Sequence, residues 1–479
     1  MAKQTFGVIV TSRNIFPGAL AVDARKKITA VLASMGHECI MVAEGAVDNG
    51  AIETFQDAKK CAELFQSNRD RIDGIIVILP NFGDEQGVVA AVDMAELKVP
   101  VLVQACSDET TSLELAGRRD AFCGKLSVCN NLYQYGIAFT NTQLHTCSIE
   151  SEAFARDIAR FAGVCRVVRG LRRARIGAIG ARPEAFHTVR FSEKLLQASG
   201  IQVVTVDLSD IFAAANRLGD AHSDVQARIK AIRNYGAIPA DTPQADVLRQ
   251  AKLCTAVEQW LTENECVASA IQCWTSIQNN YGCAACLSMS MMGEAGRPSA
   301  CEMDIAGAVS MLALNLASGG VPSGFVDWNN NYLEEQDKCV VTHCSNYPKS
   351  FMGADVEISR LDILGQSLGA ERCFGGIKGR LAAGPFTYAR ISTDDTRGTI
   401  KAYVGSGDFT DDPLECNGGV GVCRIPRLQH LLDHLCRAGF EHHVAMNRSR
   451  CADILHEAFS RYLGWDVYHH AAVKSEPAD

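Results

Sequence analysis

The sequence predicts an α/β protein with two N-terminal Rossmann-like domains, each built on a parallel sheet, followed by a β-rich C-terminal domain. Short apolar, β-prone runs alternate with helical runs over the first 170 residues, and the same alternation starts again near residue 172. Continuous apolar strands between crossover helices indicate a parallel sheet that is buried on both faces. After residue 350 the β-prone runs are joined by Gly-rich turns, which is typical of an antiparallel sheet or barrel.

The first domain is predicted over residues 1–171. Its strands are the apolar runs "TFGVIVTSR", "HECIMVAEG", "DGIIVILPNFG" and "VPVLVQACS". Its helices are predicted over residues 17–35, 53–68 and 85–97, between these strands. A chain of 479 residues is too long for one ordinary core, so several domains are expected.

The second domain is predicted over residues 172–350 and the third over residues 351–479. The second opens with "RARIGAIGARPEAF", a helix and "GIQVVTVDLSDIF", which repeats the strand, helix and strand at the start of the chain. Neither opening contains GxGxxG, so no dinucleotide site is predicted. The third has strands in "ADVEIS", "KGRLAAGPFTYARIST" and "TIKAYVGSGDF", and it closes with helices over residues 426–438 and 448–463.

The composition excludes several classes of protein. Hydrophobic residues make up 47% of the chain and charged residues 21%, as in an ordinary globular protein. The net charge is −9 and the lysines and arginines are scattered, so no basic stripe is present to bind nucleic acid. No apolar run approaches the roughly 20 residues that cross a bilayer as a helix, so no membrane partner is expected.

The cysteine pattern predicts a reducing, cytoplasmic location. The 20 cysteines are spread along a chain that begins "MAKQTFGVIV", without a cleavable apolar leader. A disulfide framework is instead typical of short secreted chains. Cys283 and Cys286 form a CxxC, but no second CxxC or Cys/His pair at finger spacing accompanies them, so buried packing is favoured over a zinc site.

Ionisable residues interrupt apolar segments between residues 298 and 343. "RPSACEMDIAGAVSMLALNLASGG" is predicted to be a helix whose carboxylates, Glu302 and Asp304, lie in its first turn. One explanation is a capping box, because Ser299 and Glu302 have the S-x-x-E spacing and acids favour a helix N-terminus. The other explanation is a ligand site.

Three further positions extend this pattern. Asp327 is expected to end a short strand in "VPSGFVDWNNNY", where Trp328 and the asparagines form either an Asx turn or a sugar-binding edge. His343 ends the apolar strand "CVVTHCSNYP" as either a satisfied core residue or a ligand. His442 and His443 lie in "FEHHVAMNRS", where neighbouring side chains of an extended loop should point roughly opposite ways, so only one is expected to bind a metal.

Together these residues form a mixed set of oxygen and nitrogen donors. Two carboxylates with one or two histidines suit Mn²⁺, or a similar divalent cation such as Co²⁺ or Mg²⁺, better than a thiolate-preferring metal. The joint interpretation as a metal site therefore outweighs the separate structural explanations.

The motifs "ACEMD", "GFVDWNNNY", "VVTHCSNYP" and "FEHHVAM", in this order, resemble the L-fucose isomerase and L-arabinose isomerase superfamily. That family also has two α/β domains followed by a β-rich domain, so the resemblance covers essentially the whole chain. It implies that Glu302 and Asp327 bind the metal and transfer protons, and that His443 binds the metal. His343 matches a ligand of the arabinose side, whereas Asp327 follows the fucose side, since the arabinose side has glutamate there.

The resemblance also implies sugar contacts for Arg13, Gln272 and Trp274. Arg13 follows the first strand of an α/β repeat, at the edge where open sheets collect ligands. Asn329 and His442 complete the predicted substrate-binding residues, and His442 is expected to contact either a sugar hydroxyl or the metal ligands.

The predicted function is a metal-dependent aldose-ketose isomerase that works through an enediol or enediolate. Such an enzyme moves one proton between C1 and C2 and another between O1 and O2. A divalent metal spreads the developing negative charge as a Lewis acid, while one carboxylate moves the carbon-bound proton and the other the hydroxyl proton. This requirement explains why Glu302 and Asp327 occur together.

Several questions stay open on the sequence. A metal-dependent sugar lyase or aldolase would use the same enediolate chemistry, and two α/β domains can also form a non-enzymatic sugar-binding protein. The sugar is fucose-like, arabinose-like or a C6-modified, anionic hexose. Arg13, Lys378 and Arg380 are available cations for the anionic group, although solvent-facing Lys and Arg in a β domain are the favoured explanation. The resemblance further implies a site between the second and third domains that Arg13 of a neighbouring subunit completes, so a homo-oligomer, a hexamer, is expected.

Overall fold

The computed structural model describes residues 3–108, 117–343, 346–415 and 418–471. The chain divides into two compact units. The first comprises Met1–Arg169 with Arg461–Leu463, and the second comprises Gly170–Ser460 with Gly464–Asp479.

The first unit contains a five-stranded parallel sheet in the order β2-β1-β3-β4-β5. Its strands are β1 (Thr5–Val10), β2 (Glu38–Ile40), β3 (Gly74–Leu79), β4 (Val101–Ala105) and β5 (Thr140–Asn141). Its helices are α1 (Ala19–Ser34), α2 (Phe55–Ser67), α3 (Glu85–Ala95), α4 (Ala121–Gln134) and α5, which spans Glu152–Leu171. β1, β3 and β4 are buried along their whole length, as continuous apolar strands between crossover helices should be.

The second unit begins with a four-stranded parallel sheet in the order β7-β6-β8-β9. Its strands are β6 (Arg175–Ile179), β7 (Gln202–Val206), β8 (Ala268–Ile271) and β9 (Ser299–Ala300). The accompanying helices are α6 (Glu193–Ala198), α7 (Leu208–Arg217), α8 (Ser223–Tyr235), α9 (Gln244–Glu263), α10 (Ser276–Asn280), α11 (Cys286–Glu294) and α12 (Ile305–Ser318).

A nine-stranded sheet follows in the order β12-β13-β16-β11-β10-β17-β14-β15-β18. Its strands are β10 (Ser323–Asn331), β11 (Lys338–His343), β12 (Glu357–Arg360), β13 (Phe374–Arg380), β14 (Gly384–Asp394), β15 (Thr399–Thr410), β16 (Gly419–Arg424), β17 (His443–Asn447) and β18 (Asp466–His470). The helices of this region are α13 (Lys349–Met352), α14 (Asp362–Leu368), α15 (Leu428–Arg437) and α16 (Ala452–Glu457). Because β15 also pairs with β16, six antiparallel strands of this sheet close into a barrel.

The predicted fold class is confirmed, since two parallel α/β sheets precede a large β-rich sheet. The domain boundaries at residues 171 and 350 stay a prediction. β10 and β11 pair within the nine-stranded sheet although they precede residue 350. Within the described ranges, no helix is both long enough and apolar enough to span a bilayer.

Three local expectations are wrong. The helix predicted over "RPSACEMDIAGAVSMLALNLASGG" begins only at Ile305, because Ser299 lies in β9, and this removes the proposed capping box. The N-cap is Asp304, whose Oδ1 accepts a hydrogen bond from the Gly307 amide at 2.7 Å. Asp327 does not end a strand but lies in the middle of β10, and His443 is not in a loop but begins β17.

The sequence of α12 is almost entirely apolar because the helix lies in the core. The helix is buried around nearly its whole circumference and packs on β8 on one side and on β14 and β17 on the other. A helix that is hydrophobic all round belongs in a core, so α12 joins the parallel sheet to the barrel. Its first turn therefore lies where residues from both sheets can meet.

Candidate metal centre

Glu302 reaches the centre from the short segment between β9 and α12. Glu302 and Met303 have φ values of 58° and 60°, a left-handed conformation that non-glycine residues rarely adopt. Such residues persist where the surrounding structure holds them, and they cluster at functional sites. The Glu302 side chain is buried, and its Oε1 accepts a hydrogen bond from Trp274 Nε1 at 3.0 Å.

Asp327 and His443 are brought together by strand register. They are direct partners in the antiparallel pair β10–β17, so their side chains share one face of the sheet. Asp327 Oδ1 lies 3.5 Å from His443 Nε2. On its other side Asp327 pairs with Thr342 of β11, and His343 is the next residue along that strand.

The four predicted metal residues converge on one point. Glu302 Oε2 lies 2.9 Å from His443 Nε2, and His343 Nε2 lies 3.8 Å from both Glu302 Oε2 and Asp327 Oδ1. One ligand atom each of Glu302, His343 and His443 falls within 4.8 Å of the others. The structure thus brings together residues from β9–α12, β10, β11 and β17.

The donor set fits a divalent cation. Carboxylate oxygens and imidazole nitrogens are the donors that Mn²⁺ and similar ions accept. Asp327 Oδ1 is buried and has no hydrogen-bond partner among the described residues. A buried, unsatisfied carboxylate oxygen is costly, and a bound cation would remove that cost.

His443 uses its second ring nitrogen to contact a carboxylate. Its Nδ1 lies 2.8 Å from Asp304 Oδ2. Burial would lower the pKa of His443, but the hydrogen bonds with Asp304 and Glu302 outweigh burial and raise that pKa. The negative charge that favours a proton on the ring equally favours a cation between the ring and the carboxylates.

The expectation that the two adjacent histidine rings point apart is wrong. The ring centroids of His442 and His443 are 4.2 Å apart, and His442 Nε2 lies 3.8 Å from Asp327 Oδ1. Asp327, His442 and His443 therefore form a second group with metal-ligand spacing. The rings differ in burial, since the His442 side chain is 41% exposed and that of His443 is 1% exposed.

An aromatic wall beside the centre is formed by Trp274, a predicted sugar contact, and Phe186, which the sequence did not predict. The Phe186 ring lies edge-on to the Trp274 ring at 5.3 Å and to the His442 ring at 5.8 Å. Phe186 belongs to the segment after β6, more than 80 residues from any other residue of the centre. A single phenylalanine in a loop carries no periodic signal, so nothing in the sequence singled it out.

Two other predicted sugar contacts, Gln272 and Asn329, accept hydrogen bonds from backbone amides. Gln272 Oε1 accepts a hydrogen bond from the Ala181 amide at 2.8 Å, and Gln272 lines a separate cleft of about 370 Å³. Asn329 is exposed, and its Oδ1 accepts a local hydrogen bond from the Asn330 amide at 2.7 Å. Their roles in sugar binding stay predictions.

The other basic side chains proposed to contact the sugar have partners within the protein. Arg13, in the first unit, forms an ion pair with Glu85 and donates a hydrogen bond to the Gly83 carbonyl oxygen. Lys378 pairs with Asp362, and Arg380 donates to the Asp412 carbonyl oxygen. Cys283 and Cys286 are buried in an apolar cluster, as favoured for the CxxC.

Two buried charged residues behind His443 were not predicted. Arg390 donates to both carboxylate oxygens of Asp304, and it also donates to Glu441. Burial would raise the pKa of Asp304, but Arg390 and His443 outweigh burial and hold that pKa well below its usual range. Arg390 interrupts the apolar run of β14 and Glu441 directly precedes the histidine pair, and these were the available signals.

Two family models match the chain. The family models "Fucose/sulfoquinovose isomerase, N-terminal domain" and "L-fucose isomerase, C-terminal domain" match residues 7–172 and 341–470, more than half of the chain together. The second match includes His343, His442 and His443, while Glu302 and Asp327 lie between the two matches.

Curated relatives of this chain are sulfoquinovose isomerases. A sulfoquinovose isomerase of Alkalicoccus urumqiensis is 27% identical over 388 residues, which cover 78% of this chain and 81% of that protein. A sulfoquinovose isomerase of Priestia aryabhattai is 25% identical over 79% of this chain and 81% of that protein. A solute binding protein of an ABC transporter from Burkholderia multivorans is 13% identical over 66% of this chain and 94% of that chain. Its TM-score of 0.16 is too low to support any argument.

These matches decide between the open functions. An isomerase is favoured over both a sugar lyase or aldolase and a non-enzymatic sugar-binding protein, because both family models and the curated relatives describe isomerases. The chain belongs to the fucose/sulfoquinovose isomerase family, and as a member of that family it is a sugar aldose-ketose isomerase.

Proposed function

We propose that this isomerase depends on a divalent cation, Mn²⁺, held by Glu302, Asp327 and His443, with His343 as a fourth ligand. The observation that carries the proposal is the convergence of both carboxylates on His443 Nε2, at 2.9 Å from Glu302 and 3.5 Å from Asp327. The buried Asp327 oxygen supports it, since it has no hydrogen-bond partner among the described residues.

The bound ion would supply Lewis-acid stabilisation of the negative charge that develops on the sugar oxygens during isomerisation. Glu302 and Asp327 are the two proton carriers that the reaction needs, one for the carbon-bound proton and one for the hydroxyl proton. Trp274 holds Glu302 Oε1, which directs Oε2 toward His443 and fixes the carboxylate in one orientation. Positioned acid-base groups of this kind contribute about 10²–10⁴-fold to the rate.

The aromatic wall supports a sugar as the substrate. Phe186 and Trp274 offer apolar ring surface for the C–H faces of a sugar, and the exposed edge of His442 can contact a hydroxyl. His442 lies between this wall and Asp327, with its ring 5.8 Å from Phe186 and its Nε2 3.8 Å from Asp327 Oδ1.

We propose sulfoquinovose, a hexose with a sulfonate at C6, as the substrate, since the curated relatives are named sulfoquinovose isomerases. Two arginines of the segment that contains Phe186 support an anionic sugar. Arg182 donates to the carbonyl oxygens of Pro183 and Glu184, and Arg190 donates to that of His187. In the described part of the chain, neither arginine pairs with a carboxylate, so their positive charge stays available to an anion.

We also propose a cytoplasmic homohexamer in which Arg13 of one subunit contacts sugar at a neighbouring subunit's site. Cysteine usage supports the compartment, because the cysteines of the described ranges are free thiols. The resemblance to the L-fucose and L-arabinose isomerases supports the assembly.

The test is an isomerisation assay on chelator-treated protein with sulfoquinovose, L-fucose, L-arabinose and D-glucose, each with and without added Mn²⁺. We expect ketose formation from sulfoquinovose only when Mn²⁺ is present, with NMR as the readout. Full turnover in a rigorously metal-free preparation would refute the metal dependence. Turnover of L-fucose in preference to sulfoquinovose would refute the substrate.

A further inference from the structure

A continuous chain of buried charged groups lies behind His443. Asp304 and Arg390 are fully buried and Glu441 is 7% exposed. They come from three separate elements, because Asp304 caps α12, Arg390 lies in β14 and Glu441 precedes β17. Buried charges are tolerated only when they are paired and hydrogen-bonded, and these three satisfy one another.

The geometry of this chain leaves Asp304 no free acceptor position. Its Oδ2 accepts from Arg390 Nη1 at 2.6 Å and faces His443 Nδ1 at 2.8 Å. Its Oδ1 accepts from Arg390 Nη2 at 3.0 Å and from the Gly307 amide at 2.7 Å. A carboxylate surrounded by four donors can only accept, so the proton of the neutral imidazole lies on Nδ1 of His443.

Glu441 orients the guanidinium group of Arg390. Its Oε2 accepts from Arg390 Nε at 3.1 Å, and its Oε1 accepts from Ser392 Oγ at 2.8 Å. Arg390 is thereby held in the plane that its bidentate contact with Asp304 requires.

We infer that Asp304 is a positioning residue that keeps His443 in the tautomer whose Nε2 is free to bind a cation, and that Arg390 and Glu441 hold Asp304 in place. The inference rests on the proposed metal site. A carboxylate that accepts from the distant nitrogen of a metal-binding histidine fixes both the tautomer and the orientation of the ring.

Asp304→Asn is the sharpest test because the amide group matches the carboxylate in shape. An amide nitrogen in place of Oδ1 would face the Gly307 amide and Arg390, two donors that cannot reverse. In place of Oδ2 it would face Nη1 of Arg390, a single donor that cannot reverse, and Nδ1 of His443, which can accept if the ring moves its proton to Nε2. The second arrangement is therefore preferred, and it removes the lone pair that would bind the cation.

The experiment titrates Mn²⁺ into metal-free wild-type, Asp304→Asn and Asp246→Asn proteins and measures free Mn²⁺ by EPR. Asp246 is the matched control, because it is also a buried aspartate that pairs with an arginine, Arg249, in the same unit. We expect Asp304→Asn to weaken Mn²⁺ binding by about 10–100-fold and Asp246→Asn to leave it unchanged. Thermal unfolding of the metal-free proteins shows whether each variant is folded.

The outcomes separate the inference from the proposed function. If wild-type protein binds Mn²⁺ and folded Asp304→Asn binds it equally well, the positioning role is wrong while the metal site stands. If wild-type protein binds no Mn²⁺, the proposed metal site itself is wrong. Should Asp304→Asn fail to fold, a crystal structure of Mn²⁺-loaded wild-type protein decides, since the ion is expected on Nε2 of His443 and an ion on Nδ1 would overturn the inference.

Discussion

Glu302 has a backbone conformation that its local sequence does not favour, and this conformation directs its side chain into the candidate centre. The sequence around it favours a helix, yet its φ of 58° keeps it out of α12 and directs its side chain toward His443. A left-handed conformation at a non-glycine residue costs about 1–3 kcal/mol, so the surrounding contacts must hold it. The hydrogen bond from Trp274 is one such contact.

Replacement of this carboxylate is therefore expected to remove catalysis rather than the fold. Glu302→Gln keeps the size of the side chain and the acceptor for Trp274, but it loses the negative charge and the capacity to take up a proton. We expect kcat to fall by about 10²–10⁴-fold. The matched control is Glu265→Gln, an exposed glutamate with a φ of 53°, which should retain full activity. Equal activity of the two variants would show that Glu302 transfers no proton.

The two adjacent histidines are expected to differ in what their loss removes. His443 is buried, with Nε2 2.9 Å from Glu302, whereas His442 is 41% exposed and lies 3.8 Å from Asp327. His443→Ala should lose both bound Mn²⁺ and activity, and His442→Ala should retain the ion and lose activity through weaker sugar positioning. Metal content by mass spectrometry and turnover of both variants give the answer. The opposite pattern of metal loss would reverse the assignment, and retention of metal by both would leave the pair without a metal role.

The register of three β-strands and the first turn of one helix bring the residues of the candidate centre together. Antiparallel pairing of β10 with β17 sets Asp327 opposite His443, and β11 adds His343 from the other neighbouring strand. A register shift of one residue would move the Asp327 side chain to the opposite face of the sheet. The first turn of α12 adds Asp304 behind the centre.

Gly307 allows that first turn to approach β10 closely. A Cβ at this position would lie 2.3 Å from the Phe325 ring and 2.9 Å from the Asp304 carboxyl carbon, so Gly307→Ala must displace the Phe325 ring, α12 or β10. We expect a destabilisation of about 1–3 kcal/mol, the usual cost of overpacking, seen as a lower midpoint of thermal unfolding. Gly219→Ala is the control, because nothing lies within 4 Å of its Cβ position. Identical midpoints for the two variants would contradict the close packing.

The second unit combines two kinds of sheet around the candidate centre. The parallel sheet leads through β9 to Glu302, while the barrel supplies Asp327, His343 and His443. α12 lies between the sheets and is buried against both. Neither sheet alone holds a complete donor set.

The proposed assembly leads to a complementation experiment. If Arg13 serves a neighbouring subunit's site, Arg13→Ala and Glu302→Gln proteins should each have strongly reduced activity, but mixed oligomers should regain activity because some sites receive both intact residues. Light scattering should give the mass of a hexamer for the wild-type protein. A fully active monomer, or mixed oligomers without activity, would contradict shared sites.

Local sequence patterns were enough to predict the class of fold and the residue types of the candidate centre. Strand and helix periodicities depend on neighbouring residues, so the alternation of β1 to α3 and the consecutive strands β13 to β15 could be predicted from the chain. Polar residues within apolar runs marked Asp327 and His343 in the same way, because a buried ionisable group needs a partner. These signals are local, and they give residue types rather than contacts.

Which residues meet could not be predicted from local patterns, because it depends on packing between distant segments. Asp304 and His443 are separated by 139 residues, and their 2.8 Å contact depends on how α12 packs on the barrel. The same long-range packing overrode the helical pattern at Glu302, turned both histidine rings toward Asp327 and brought Phe186 beside Trp274. Register and packing between distant segments depend on the summed burial of many side chains, and no short stretch of sequence contains that information.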